Sequence, residues 1–137
     1  MLYFYDDTRA RGFEPFASSR PVSELTAGIA LVRDRWATAL GASDETHCLA
    51  GRRHDDFDES YVTGASHAAH GTIPAGSIIA NSRCAPALPH KPARLADSHS
   101  EAQAWQVGDR IGALRLPEPV DVSVFEQGAI ALGDLLP

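Results

Sequence analysis

Residues 2–40 read LYFYDDTRARGFEPFASSRPVSELTAGIALVRDRWATAL. Leu2-Tyr3-Phe4-Tyr5 is a short apolar run without polar alternation, which marks a strand covered on both faces, as in a parallel sheet. Asp6-Asp7 end it. From Thr8 to Ser19 there is neither a helical nor a strand period, and Gly12 and Pro15 punctuate a loop. Phe13 and Phe16 are expected to anchor that loop in the core and so fix Arg9 and Arg11. Pro21 biases Arg20 towards an extended backbone, so no helix begins before it. From Gly28 the period turns helical: Ile29, Val32, Trp36 and Leu40 share one face, Arg33, Asp34, Ala37 and Thr38 turn away, and Gly41 supplies the C-cap.

Working outward, Thr46–Ala50 reads as a second short strand, so that strand, crossover helix and strand make a right-handed βαβ unit. Residues 52–76 are polar and Gly-rich, with at most a helical turn near Phe57 and Tyr61. Ser77–Asn81 is a third apolar strand with Asn81 and Arg83 at its end. A proline-rich connection follows, then a weak helix with Leu95, Ala102 and Trp105 as its apolar contacts. After the turn Val107-Gly108-Asp109, Arg110–Leu116 is a fourth strand, and Val120–Leu132 reads as a last helix with Val124, Gly128 and Leu132 on one face. The expected fold is α/β, a small, mainly parallel sheet of about four strands flanked by helices.

The chain has 137 residues, and a chain of about 150 buries roughly two-thirds of its unfolded surface, so one domain is expected over residues 1–137. Its hydrophobic fraction of 44% is that of a globular protein. No run of about 18 apolar residues and no secretory leader is visible, so no membrane partner is expected and the cytoplasm is the expected location. Eighteen acidic against twelve basic residues, a net charge of −6, argue against a nucleic-acid partner, which calls for a clustered basic face. The arginines are uneven all the same: Arg9, Arg11, Arg20, Arg33 and Arg35 all lie in the opening stretch, and a local cationic site on an acidic molecule suits a small anionic ligand.

Candidate chemistry concentrates there. Planar guanidinium groups bind phosphate oxygens in pairs, so Arg9, Arg11 and Arg20 are candidates to hold a triphosphate or sugar phosphate. Asp6-Asp7 at a strand end suit Mg²⁺, and equally suit a turn in which a carboxylate caps the loop backbone. His67 and His70 in SHAAH are three apart, not the four of a zinc-hydrolase helix, and Gly64 and Gly71 oppose a helix; a metal-dependent hydrolase built on them is the weakest reading. The acidic run His54–Glu59 lacks the alternation of a calcium loop and reads as a solvated turn. Cys48 and Cys84 make neither a disulfide framework nor a metal set, and read as buried apolar residues, with Cys84 the more exposed.

Three stretches, YFYDDTRARGFEPFASSRPVSELTAGIALVRDRW (3–36), IIANSRCAP (78–86) and GDRIGALRL (108–116), resemble the N-terminal region of a divergent sugar nucleotidyltransferase family. That family is similar to the bifunctional UDP-N-acetylglucosamine pyrophosphorylase/glucosamine-1-phosphate acetyltransferase. The resemblance implies a Rossmann-type nucleotide-binding domain, with a nucleoside triphosphate and a sugar 1-phosphate as partners and Mg²⁺ as cofactor. Related enzymes open with a strand, G-x-G-T-R, and a lysine about ten residues on. By that register Arg9 takes the arginine's place and Arg20 the lysine's, both as catalytic groups; Arg11 binds phosphate, Asn81 and Arg83 contact base or sugar, and Asp6 or Asp7 holds the metal.

The chain departs from that pattern where Asp6-Asp7-Thr8-Arg9-Ala10 replaces the glycine cradle. It is also shorter than a complete catalytic domain of this kind, so the resemblance implies the N-terminal part of a longer protein. The alternative is a non-catalytic binding or assembly module associated with a fused or separate left-handed β-helix acyltransferase.

Overall fold

The opening run forms a strand whose four side chains are all buried. The computed structural model describes residues 1–13, 20–40, 46–49, 65–67, 70–87 and 104–137. In chain order the elements are β1 (Leu2–Tyr5), β2 (Thr26–Ala27), β3 (Ala30–Leu31), α1 (Val32–Leu40), β4 (Thr46–Leu49), β5 (Ala65–His67), β6 (Thr72–Ile73), β7 (Ile78–Asn81), β8 (Ala104–Val107), β9 (Arg110–Arg115) and β10 (Val120–Asp121). Short 3₁₀ turns cover Thr8–Phe13, Val22–Glu24, Val122–Phe125 and Leu132–Leu135.

Six strands make one sheet in the order β5-β4-β1-β7-β9-β8. β5, β4, β1 and β7 run parallel, while β9 is antiparallel to both β7 and β8. The α/β expectation holds, and so do the four expected strands. Two strands of this sheet were not anticipated. β5 falls in the stretch read as loop, and β8 carries Trp105, which the sequence placed on a helix and which instead pairs with Ala113 across a hairpin. The two-residue Gly108-Asp109 turn between AWQV and RIGALR is the local cause.

β1 is central and packs on both faces. Leu2 and Phe4 join Val32, Trp36 and Leu40 of α1, with Ala80 and Ala113, in one layer. Tyr3 and Tyr5 face the other way into Leu49, Ile73, Ile79, Leu114, Val122, Phe125 and Leu132. Each such large side chain contributes roughly 1.5–3 kcal/mol on burial, which is how one nine-residue helix is held against the sheet. Among the described residues no helix is long and apolar enough to cross a membrane.

Three expectations are corrected. The helix begins at Val32, not Gly28, because Gly28 adopts φ 74° and with Ile29 turns the hairpin β2–β3. Ile29, expected on the buried face, is 97% exposed. Its replacement by Ser is expected to change the unfolding free energy by less than about 0.5 kcal/mol in urea titration, the range of surface substitutions without buried contacts. Second, Phe13 is 43% exposed and does not anchor its loop; the fully buried Ala10, packed on Val22, does. Third, Val120–Leu132 is not a helix. Val120 and Asp121 pair with Ile73 and Thr72, Asp121 caps the next 3₁₀ turn through the Ser123 amide at 2.9 Å, and Val122 and Phe125 point inward while Val124 is exposed. Phe16, Gly41, the acidic run His54–Glu59, Phe57, Tyr61, Leu95 and Ala102 lie outside the described residues.

Candidate functional site

From β1 the chain moves to β4 and then β5 on one side, and returns to place β7 on the other. The carboxyl ends of β1 and β7 therefore lie side by side at the point where the strand order reverses, which is where open α/β sheets hold ligands. The segments leaving those two ends are Asp6-Asp7-Thr8 and Ser82-Arg83-Cys84. α1 steadies the second segment: the Trp36 indole N–H donates to the Cys84 carbonyl at 2.6 Å, and Arg35 Nε to the Pro86 carbonyl at 2.9 Å.

Asp6 is buried, and both its oxygens are engaged. Oδ2 accepts the Val22 amide at 3.1 Å, and Oδ1 meets the Ser82 hydroxyl, which also lies 3.0 Å from the Tyr5 carbonyl. This carboxylate ties the Pro21-Val22 segment to the strand end. Asp7 is more heavily used. Its Oδ1 accepts the amides of Arg9 and Ala10, both at 3.1 Å, and Arg83 Nε at 2.7 Å. Its Oδ2 accepts Asn81 Nδ2 at 3.0 Å and Arg83 Nη2. Asn81 in turn accepts the Arg83 amide at 3.0 Å. Burial alone would raise the Asp7 carboxyl, but the hydrogen bonds from Arg83 and Asn81, the Arg83 charge and the Ala10 amide outweigh it and hold the carboxyl below its ordinary value.

A cleft of about 520 Å³ opens beside this pair, lined by Asp7, Thr8, Arg9, Asn81, Arg83, Asp109, Arg110 and Ile111 and by the segment Gly128–Gly133, whose backbone borders the β1 loop. That backbone is locked to the β1 loop. The Thr8 amide donates to the Gly128 carbonyl at 2.8 Å, and the Tyr5 hydroxyl to the Ile130 carbonyl at 3.3 Å. Burial first, then the Asp7 charge, push the Tyr5 phenol up to about 12, so it keeps the proton it donates. On the α1 side, a second and more apolar cleft of about 360 Å³ includes Phe13, Val22, Leu25, Val32 and Ser82. Arg83 borders both.

The expected residues divide accordingly. Arg9, Asn81 and Arg83 meet at the 520 Å³ cleft, and the guanidinium of Arg9 has no ion-pair partner among the described residues. Arg11 lies in the same 3₁₀ turn as Arg9. Arg20 does not line the cleft; it lies within electrostatic reach of Glu24, whose Oε1 is 2.9 Å from Arg33 Nε. Burial raises the Glu24 carboxyl, and the Arg33 charge offsets part of that rise. Asp6 and Asp7, the expected Mg²⁺ ligands, both spend their oxygens on protein donors. A carboxylate offers about four lone-pair sites, and Asp7 accepts five hydrogen bonds, so the donor set as arranged does not fit a directly bound divalent cation.

The histidines are not brought onto a helix: His67 ends β5, and His70 is exposed beyond it. Among the described residues no three His, Cys, Asp or Glu side chains are grouped as a metal site. Cys48 is buried and Cys84 half-buried, as expected. Burial raises both thiols, so neither is a ready thiolate at neutral pH. Sequence reasoning missed Arg110 and the Gly128–Gly133 backbone. The Gly108-Asp109 turn was the available signal for Arg110, since it swings the start of β9 towards the end of β7; nothing local marks the second.

Compared with known proteins, residues 2–131 match the model of a family described as sugar nucleotidyl transferase, a span that takes in the whole six-stranded sheet and the cleft as far as Ala131. No curated protein and no solved structure matches the chain.

Proposed function

The chain belongs to the sugar nucleotidyl transferase family, and on that premise we propose that the 520 Å³ cleft receives the phosphate-bearing part of a nucleotide or sugar phosphate. The observation that carries this is the convergence of Arg9, Arg83 and Arg110 on one cleft at the carboxyl ends of β1 and β7. Each of the three sequence stretches that resemble the family supplies part of it: residues 3–36 give Asp7 and Arg9, residues 78–86 give Asn81 and Arg83, and residues 108–116 give Arg110.

Chemistry of this class depends on positioning and charge neutralisation, so no general base is required of the chain. Arg9, exposed and without an ion-pair partner among the described residues, offers its guanidinium to phosphate oxygens. Arg110 is 3.9 Å from Asp109 and largely exposed, so that contact holds it weakly. The finer reading takes UTP and N-acetylglucosamine 1-phosphate as the pair, on the strength of the resemblance. A non-catalytic binding module is the second reading, favoured by the side chains of Asp6 and Asp7 standing where a nucleotidyltransferase has its glycine cradle.

Calorimetry with UTP and UDP-N-acetylglucosamine tests the binding, and no heat at millimolar ligand removes it. Arg9→Ala is expected to weaken UTP about tenfold, near 1.4 kcal/mol, the low end for one charge-assisted hydrogen bond, with the urea midpoint unchanged. Arg20→Ala, outside the cleft lining, is expected to leave affinity as it is; an equal loss there would return Arg20 to the site. Pyrophosphate release from UTP and a sugar 1-phosphate then separates the enzyme from the binding module.

A further inference from the structure

We propose that Arg83 is a resident cation, standing where a divalent metal ion would otherwise bridge Asp7 and an anionic ligand, and that Asp7 positions Arg83 instead of a metal. This rests on the reading of the cleft as an anion site. A metal-holding aspartate at a strand end must present at least one oxygen with an open lone pair. Asp7 presents none: three N–H groups point to Oδ1 and two to Oδ2. Asp6, the neighbouring carboxylate, is buried and engaged with the Val22 amide and the Ser82 hydroxyl.

The guanidinium meets Asp7 side-on through Nε and Nη2, the paired geometry that fixes its plane as well as its position. Two neighbours hold the arrangement from behind. Asn81 spans it, donating to Asp7 and accepting the Arg83 amide, and the Trp36 indole holds the Cys84 carbonyl next along the chain. A guanidinium carries five N–H donors, and Asp7 takes two of those of Arg83, so donors remain for a ligand on a side chain that borders both clefts. Asp7 balances this charge and Asp109 stands beside Arg110, but the rim carries three arginines, Arg9, Arg83 and Arg110, against two aspartates, Asp7 and Asp109, and so stays net positive. The ligand class that follows is a phosphate-bearing anion bound without a bridging metal ion.

The test begins with the ligand-free full chain. Mn²⁺ is titrated into it and the free aquo ion is followed by electron paramagnetic resonance, so the metal result does not depend on whether any nucleotide binds. The wild type is expected to show no saturable site tighter than about 1 mM, the weak regime of unorganised carboxylates. Arg83→Met frees the Asp7 oxygens and is expected to gain a site at least tenfold tighter, whereas Arg83→Lys, which keeps a charge beside Asp7, gains none. A wild-type site near 0.1 mM or tighter, roughly the affinity of a modest oxygen-ligand site, that Asp7→Asn abolishes would overturn the proposal even if the Met variant fails to fold.

Pyrophosphate binding to the wild type is then compared in chelator and in excess Mg²⁺. Affinities within about threefold support binding without a metal bridge, and a gain of tenfold or more with Mg²⁺ overturns it. Binding in neither condition removes the ligand half together with the reading of the cleft, while the Mn²⁺ titration still decides the pairing of Asp7 with Arg83.

Discussion

Replacing Arg83 by Met is expected to lower the unfolding free energy by about 2–3 kcal/mol at neutral pH, read from urea midpoints at constant m. The Asp7 and Arg83 side chains are only 13% and 22% exposed. Removal of one partner from a fully buried pair costs about 3–5 kcal/mol, and an exposed pair contributes about 1 or less, so this half-sheltered pair falls between. The loss arises on the Asp7 side. Without Arg83 its carboxylate keeps Asn81 and two amides, and burial, which pushes the carboxyl upward, loses its largest opposing contribution.

The pH dependence follows with a definite sign. In the wild type the Asp7 carboxyl lies below its ordinary value, so its contribution is fully present above the unfolded-state value, about 3.9, and is lost as pH falls through the lower folded value. In the Met variant the Arg83 contributions are gone, so the same carboxyl is raised relative to the wild type and less stability is gained as pH rises through the carboxylate range. The difference between the two proteins should therefore shrink towards zero as the pH drops below the carboxylate range. Asp7→Asn combined with Arg83→Met, which removes both charges of the pair, should recover most of the loss at neutral pH. A difference that stays constant between acid and neutral pH would show that the cost is lost packing around the arginine and not the unpaired carboxylate.

What could be read from the sequence divides by the range of the contacts involved. β1 and the buried face Val32, Trp36, Leu40 were legible because a short apolar run and a recurring helical spacing are local properties. Asn81 and Arg83 could be placed together at a strand end, where such sheets hold ligands, and both line the cleft there. The helix onset was not, since Ile29 continues the helical spacing by coincidence while Gly28 makes a turn of it. Arg20 was aligned by counting eleven positions from Arg9, but a count along the chain does not say where the chain goes. The Asp6 carboxylate takes the Val22 amide, and Arg20 comes to lie near Glu24. Even Asp7, correctly placed at the strand end, was legible only as one of two things, metal ligand or turn cap. The choice depends on Arg83, 76 residues away. The far wall of the cleft was least legible of all, because it is set by contacts such as Tyr5 to Ile130, 125 residues apart.

That far wall supplies the other large effect, because Gly128→Ala is expected to lower the unfolding free energy by about 3 kcal/mol and to weaken ligand binding with it. Gly128 has φ 66°, and an added methyl group in that conformation costs about 1–2 kcal/mol by itself. The same Cβ would stand 2.9 Å from the Thr8 nitrogen and 3.3 Å from the Asp7 carbonyl carbon, both backbone atoms that no rotamer change can move aside. Relief therefore requires the Asp7-Thr8 loop and the Gly128 segment to part. Parting them breaks the 2.8 Å hydrogen bond from the Thr8 amide to the Gly128 carbonyl, worth about 1 kcal/mol.

Gly76→Ala supplies the comparison, since Gly76 also has positive φ, 80°, but open space where its Cβ would be, and should lose only the backbone contribution. The excess of Gly128→Ala over Gly76→Ala measures the close approach. Because the Arg9 amide and the Arg83 guanidinium both converge on Asp7, displacement of that loop should weaken UTP by more than Arg9→Ala does alone. If Gly128→Ala costs no more than Gly76→Ala and binds ligand as the wild type does, the C-terminal segment is not the wall that holds the site in register.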